Sequence, residues 1–199
     1  MSEIEPFAFD FETERLRLRP LNASDEALFH GLYTDQETMR FIAPPLSMEQ
    51  ASNNFQRIVA RQSESSLKGR FLAMLDKATL QPVGICGTSR YDADALRVEV
   101  GIVLRPEARA KGFAREALTA LMKRIFAVSP IQEICVRFSA QCPAVERLNI
   151  RVGFVPCVDE VQVEGLWSKR VWSAHRSSWY AIETTNCQGA GNVERHRFS

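Results

Sequence analysis

Residues 99–117 read Glu99-Val100-Gly101-Ile102-Val103-Leu104-Arg105-Pro106-Glu107-Ala108-Arg109-Ala110-Lys111-Gly112-Phe113-Ala114-Arg115-Glu116-Ala117, and the hydrophobic period changes within them. Up to Leu104 the pattern alternates. Val98, Val100, Ile102 and Leu104 fall on one side and Arg97, Glu99 and Gly101 on the other, which predicts a strand. Beyond Pro106 the spacing becomes helical: Ala114, Leu118, Leu121 and Ile125 recur on one face, and Ala117, Met122 and Phe126 widen the stripe until Pro130 stops it. A strand therefore runs through a compact turn straight into a long helix. That turn carries Arg109, Lys111 and Gly112 beside the small residues Ala110 and Ala114. The first amides of a helix lack intrahelical acceptors and sit at the positive end of its dipole, so small side chains there let an anion reach the backbone. Several successive amides suit a pyrophosphate better than a single phosphate. Gly101 weakens the strand that contains it, which marks either a bulge or a point where a ligand or another backbone comes close.

Working outward, Glu14 to Leu21 alternates leucine with arginine and predicts a half-buried strand. Asn22 or Ser24 can cap a helix bearing Leu28, Phe29, Leu32 and Tyr33, and a short helical stretch through Met39 and Phe41 ends at Pro44-Pro45. Ser47-Met48-Glu49-Gln50 has the form of a capping box and opens a further helix with Ala51, Phe55, Ile58 and Val59 on one side. Arg70 to Leu75, Val83 to Tyr91 and Leu96 to Leu104 read as three consecutive antiparallel strands. After the long helix come a strand over 131–138, a short helix over 144–151 closing at Gly153, and two strands over 154–163 and 170–180 around a turn at Gly165. The order β-α-α-β-β-β-α-β-α-β-β defines a mixed α/β (α+β) fold with a mainly antiparallel sheet of about seven strands. Its long helix crosses to a parallel neighbour. Residues 1–12 form an acidic extension, 13–181 the domain, and the polar stretch 182–199 a flexible tail by expectation.

With 199 residues, one domain plus a short remainder is expected. Lys and Arg number 25 against 24 Asp and Glu, a formal net of +1, so no bulk field draws the chain to nucleic acid or an anionic membrane. Any polyanion must be held locally. The composition, 45% apolar and 25% charged, is that of an ordinary globular protein and excludes disorder. Cys86, Cys135, Cys142, Cys157 and Cys187 show neither a CxxC pair nor ligand spacing to His30, His175 or His196, so neither a metal site nor a disulfide framework is expected. The start carries no apolar leader and no apolar run reaches spanning length, which fits a cytoplasmic protein without a membrane partner.

The loop signatures Gly-x-x-x-x-Gly-Lys-Ser/Thr and Gly-x-Gly-x-x-Gly are both absent, which removes two nucleotide-binding classes. The spacing Arg109-x-x-Gly112-x-Ala114 at a strand-to-helix turn resembles instead the acetyl-CoA pyrophosphate signature of the GNAT superfamily of N-acyltransferases. Thr13-Glu14-Arg15-Leu16-Arg17-Leu18-Arg19-Pro20, Glu99-Val100-Gly101, Arg105-Pro106-Glu107 and Val152-Gly153-Phe154 are similar to its ribosomal-protein N-acetyltransferase (Rim-type) branch. The likeness spans residues 13 to 180. It implies a splayed sheet whose strand from Leu96 pairs with pantetheine through its backbone at Val100, Ile102 and Leu104, while Arg109 and the amides of Ala110, Lys111, Gly112, Phe113 and Ala114 bind pyrophosphate. Acetyl-CoA is then the co-substrate and a small-molecule or peptide amine the acceptor, and a homodimer is compatible with the reading. Relatives usually begin the helix before Gly153 with Asn and place Ser three residues on. Here those places hold Cys142 and Val145, and residues 142 to 152 lack the Tyr that many relatives use as general acid.

An amine attacks a thioester only when neutral, so the reaction needs a proton acceptor near the amine and amide donors near the developing oxyanion. Glu99, on the less apolar side of its strand, is the candidate base, acting through water; the bland alternative is a salt-bridged strand residue beside Arg97. Either water, a backbone group or Cys142 protonates the leaving thiolate, or acid catalysis is unimportant. Phe41 and Trp167 are candidate substrate contacts, within the variable segments Phe41 to Leu46 and Gly165 to Lys169. Two other functions stay open at this level: a CoA-binding module with weak or no catalysis, and a structural protein of ribosome-associated type.

Overall fold

The computed structural model of the chain describes residues 9–62, 66–164 and 167–181, with the backbone alone for 158–164 and 167–168. Its strands are β1 (Phe11–Glu12), β2 (Leu16–Pro20), β3 (Phe71–Asp76), β4 (Pro82–Asp92), β5 (Arg97–Leu104), β6 (Glu133–Ser139), β7 (Val155–Glu164) and β8 (Trp167–His175). The helices are α1 (Glu26–Tyr33), α2 (Gln36–Met39), α3 (Met48–Arg61), α4 (Phe113–Val128) and α5 (Pro143–Val152). One eight-stranded sheet runs β1-β2-β3-β4-β5-β6-β8-β7. Every neighbouring pair is antiparallel except β5 and β6, which α4 connects in parallel as the crossover rule requires. The expected mixed fold is present, with the two-residue β1 added at its edge.

Local chemistry sets the element ends. Asn22 accepts from the Ser24 amide and Asp25 accepts back from the Asn22 amide, which opens the turn into α1. Ser47 and Gln50 form the capping box of α3, with Ser47 Oγ accepting from the Gln50 amide and Gln50 Oε1 from the Ser47 amide. Gly153 closes α5 at φ 97°, and its amide and that of Phe154 donate to the Asn149 carbonyl.

The sheet has a core on each face. Leu16, Leu18, Leu72, Met74, Val98 and Val100 pack against Phe113, Leu118, Leu121 and Ile125 of α4 on one side. Leu21, Ala73 and Ile85 pack against Leu28, Phe29, Leu32, Ala51 and Phe55 of α1 and α3 on the other. Each fully buried Leu or Phe contributes about 1.5–3 kcal/mol, so the α4 stripe is what fixes the crossover over the sheet.

The strand expected over 170–180 ends early. β8 stops at His175 and residues 176–181 are helical. Arg176 explains the change: its guanidinium donates to the carbonyls of Phe126 at 2.5 Å, Ser129 at 2.6 Å and Ile131 at 2.6 and 2.8 Å, satisfying acceptors left by the end of α4. Trp179 is then buried, its Nε1 donating to the Val152 carbonyl at 2.7 Å. The stretch 182–199 lies outside the described residues.

Candidate active site

The turn between β5 and α4 has the shape that its small residues allow. Ala110 and Gly112 both adopt left-handed backbone conformations, at φ 60° and 83°. Gly112 is the N-cap of α4 and supplies no side-chain cap. Among the described residues, no protein acceptor takes the amides of Ala110, Lys111, Gly112, Phe113, Ala114 or Arg115. Left-handed residues beside right-handed ones turn successive N–H groups inward, which makes a concavity suited to an anion. Ala110, Lys111 and Gly112 are exposed, and Phe113 turns its ring into the core. The Arg109 guanidinium turns away to the Thr38 hydroxyl at 2.9 Å, so Arg109 contributes to this turn through its backbone position.

A second arginine buttresses the turn. Arg15, at the foot of β2, donates to the Lys111 carbonyl at 3.0 Å and lies over the Phe113 ring at 4.8 Å. Its Nε and Nη2 reach Glu116 Oε2 at 2.7 Å, while its amide and the Thr13 hydroxyl donate to Glu116 Oε1 at 2.8 and 2.6 Å. Burial works against the Glu116 charge, but these bonds outweigh it and hold the carboxyl below its ordinary value of 4.5. Sequence reading finds neither partner, because the pair is 101 residues apart.

The sheet opens beside this turn. β5 and β6 pair only where Arg97–Glu99 face Glu133–Cys135, and beyond that the strands part. Arg105 donates its amide to Val83 on β4, and the register against β4 is unbroken from Glu99 to Leu104. Alternation then directs the N–H and C=O groups of Val100, Ile102 and Leu104 away from β4, into the gap. Gly101 pairs in register with Gly87, and a Cβ there would meet nothing within 4 Å, so it marks open space and no bulge.

A cavity of about 330 Å³ fills the gap and reaches both faces of the sheet. On the α4 and α5 side it is lined by Leu118, Val136, Phe138, Val145, Leu148 and Asn149, and Cys142 stands at the start of α5. Tyr33, Phe41, Ile42 and Phe71 line the other side together with Glu99 and Arg137. Glu99, Val100, Ile102, Cys142 and Phe41 therefore share one cleft. Lys169 Nζ donates to the Ile42 carbonyl at 2.9 Å, which brings the segments after Phe41 and before β8's midpoint together at its mouth. The side chain of Trp167 lies outside the described residues.

The Glu99 carboxylate accepts from Arg137 Nε at 3.2 Å, and Arg90 Nε and Ser89 Oγ are 3.5 and 3.4 Å away. Arg97 takes a different partner, Glu133 at 3.4 Å, and donates to Cys135 Sγ. Burial pushes the Cys86 thiol up to about 12 and the Cys135 thiol up to about 11, the latter despite Arg97, so both are neutral near pH 7. No set of three or more His, Cys, Asp or Glu among the described residues could hold a metal ion, and no described helix is long and apolar enough to cross a membrane.

The gap between two parallel strands, the amide-lined turn at the end of one of them and the helix crossing from it form one continuous site. Residues 15–155 match the family model of the acetyltransferase (GNAT) domain, and the chain belongs to that family, whose members take the acetyl group from acetyl-CoA. It is 28% identical over 142 residues, 69% of this chain and 78% of the relative, to the uncharacterized N-acetyltransferase p20 of Bacillus licheniformis. Among solved structures it is similar to a spermidine N-acetyltransferase from Vibrio cholerae in complex with CoA and spermine, at TM-score 0.71 and 20% identity, covering 84% of this chain and 99% of that one. A ribosomal-protein-S5-alanine acetyltransferase from Vibrio fischeri superposes at TM-score 0.69 and 18% identity, covering 85% and 97%. The protein is an acetyl-CoA-dependent acetyltransferase.

Proposed function

We propose that this chain transfers the acetyl group of acetyl-CoA directly to a primary amine, and that the acceptor is the N-terminal amine of a protein, as in the Rim-type branch. The observation that carries the reading is the continuity of site and turn: the free amides from Ala110 to Arg115 stand at the end of the strand whose Val100, Ile102 and Leu104 line the open gap. These residues fit a long pantetheine arm tipped by a diphosphate. The turn would hold the pyrophosphate, and the gap-facing groups of β5 would pair with the arm.

Acetyl-CoA supplies the acyl group already activated as a thioester. The amide of Val100 or Ile102 polarises the carbonyl at the mouth of the gap, where charge develops on oxygen. Glu99, on the face that carries Tyr33, Phe41 and Phe71, accepts the amine's proton through a water molecule. Arg137 and Arg90 hold its carboxylate in place. No acyl-enzyme is needed, and the two buried thiols are not poised to form one. The Rim-like text Thr13 to Pro20 is what favours a peptide amine over a polyamine.

Release of free thiol from acetyl-CoA, measured with peptides of varied N-terminal residue and with spermidine, tests the reading. Turnover on peptides and little on the polyamine is expected. Thermal stabilisation by CoA with no turnover on any amine would favour the binding module instead. Glu99→Gln is expected to lower turnover about 10²-fold or more near neutral pH and less at high pH, where the amine is already neutral. A uniform or absent effect removes Glu99 from the mechanism.

A further inference from the structure

Gly101 lies midway along β5, near the centre of an eight-stranded sheet with a core on each face, yet it is exposed. A glycine inside a strand weakens it and packs nothing, so the position asks for a reason. Its partner Gly87 has one, because a Cβ there would run into the Arg70 carbonyl. Gly101 has none within the protein: a Cβ there would meet nothing within 4 Å, and its φ is not left-handed. The space above it belongs to the cleft, on the face that carries Glu99 two residues away, about 7 Å along the strand.

The walls on this side of the cleft are apolar. Tyr33, Phe41, Ile42 and Phe71 line it, and each is half-buried. They are also held in place. The Tyr33 ring stacks on Phe29 at 4.3 Å, Arg40 lies over the Phe41 ring at 5.1 Å, and Lys169 Nζ donates to the Ile42 carbonyl. Phe71 pairs with Gly87 across β3 and β4, so its ring shares the face of Gly87 and Gly101. Rings fixed in place yet open to a cavity keep apolar surface in water, which an apolar group would cover at little cost in ordering. The two side-chain-free glycines give that group its room. A coenzyme arm in the plane of the gap leaves this recess to the acceptor, since the arm's acyl end stops at the apex, where the β5–β6 pairing reaches Glu99 and Cys135.

We infer that this recess takes the group attached to the acceptor's amine, and that the group is large and apolar, as in a protein whose first residue is Phe, Leu or Met. The inference rests on the acetyl-transfer reading above and adds the character of that first residue. With the amine beside Glu99, the first side chain falls over Gly101 and against the rings of Tyr33, Phe41 and Phe71. Gly101 and Phe41 then determine specificity: they touch the acceptor and take no part in the proton's path. A small first residue leaves the rings uncovered, and a charged one loses hydration against them. A free arylalkylamine offers the same chemistry without a peptide, and the test includes one. The alternation of β5 places Gly101 on the face of Glu99, but only the packed fold shows that nothing in the chain fills the space above it.

Acetylation of peptides that differ only in their first residue, set to Phe, Leu, Met, Ala, Gly, Asp or Lys, and of 2-phenylethylamine tests this. For the wild type, kcat/KM is expected to be about 10- to 100-fold higher with Phe, Leu or Met first than with Ala, the difference lying in KM. Gly101→Val sets a side chain on the floor of the recess and is expected to cut that preference by about tenfold or more. Its affinity for CoA, read by calorimetry, is expected to persist, because the groups that face the arm are those of Val100, Ile102 and Leu104. Phe41→Ala removes a wall and is expected to lower the preference likewise, and it carries the comparison if Gly101→Val acetylates nothing. A wild type that favours a small or charged first residue, or ignores its identity, overturns the proposal and leaves the acetyl-transfer reading standing, as does a preference that survives both variants. Better turnover of 2-phenylethylamine than of the Phe-first peptide supports the recess and overturns the peptide acceptor. If no amine is acetylated, both readings fail.

Discussion

Glu116 shows how a single side chain can fix the geometry of a binding turn. It takes four donors from Thr13 and Arg15 and ties the first turn of α4 to the foot of β2. Its folded-state carboxyl titrates below its ordinary 4.5, so the stability it contributes is complete above that value. That contribution is lost as pH falls from 4.5 through the lower folded value. Glu116→Gln is therefore expected to destabilise the protein by about 1–3 kcal/mol at pH 7, and the gap from wild type should narrow on acidification below 4.5, as read by denaturant melts at both pH values. A gap that stays constant with pH would show that the charge is not what matters. The parity of Glu99 could be read from the alternation of its strand, because side-chain direction is a local property. Its partner Arg137 could not, since it arrives from a strand 38 residues later. Asn149 belongs with Arg137: only the packed fold reveals that its Nδ2 is both buried and, among the described residues, without a protein partner.

Elements whose ends are set by neighbours in the chain were the legible ones. The Ser47 box, the Gly153 cap and the α4 stripe all rest on residues three or four apart, and all are found where the spacing puts them. β8 illustrates the reverse. The apolar Trp179 and Tyr180 extend the strand reading past His175, but Arg176 finds the carbonyls at the end of α4 and folds the chain into a helical turn. Those acceptors lie 45 to 50 residues earlier, so periodicity gives no warning. Arg176→Ala is expected to cost about 2–4 kcal/mol, lowering the melting midpoint by about 4–12 °C, because several partly buried carbonyls lose a charged donor at once. Arg176→Lys should recover only part of this, since a single ammonium cannot match the guanidinium fork. A full recovery would mean that charge alone serves there.

At the scale of the whole molecule, two hydrophobic cores clamp one sheet, and the sheet gives way at a single seam. On the β4 side β5 is held without a break from Glu99 to Leu104, whereas on the β6 side it is held at only three residues. The α4 and α5 side chains pack over one face of the sheet at the seam, and the α1 and α3 layer packs on the other face against the strands up to β5. An open seam between well-packed flanks is a preformed slot, so little ordering is left to offset binding there. The slot itself was expected from the resemblance and not from the periodicity, since where strands part depends on pairing that no single strand records. The most direct test is a crystal structure of the chain with CoA. The account predicts a diphosphate on the amides from Ala110 to Ala114 and an arm along Val100 to Leu104 that ends at the apex of the gap, and it predicts that Gly112→Glu, which sets a carboxylate in the turn, abolishes binding. Coenzyme bound elsewhere, or undiminished affinity in that variant, would contradict it.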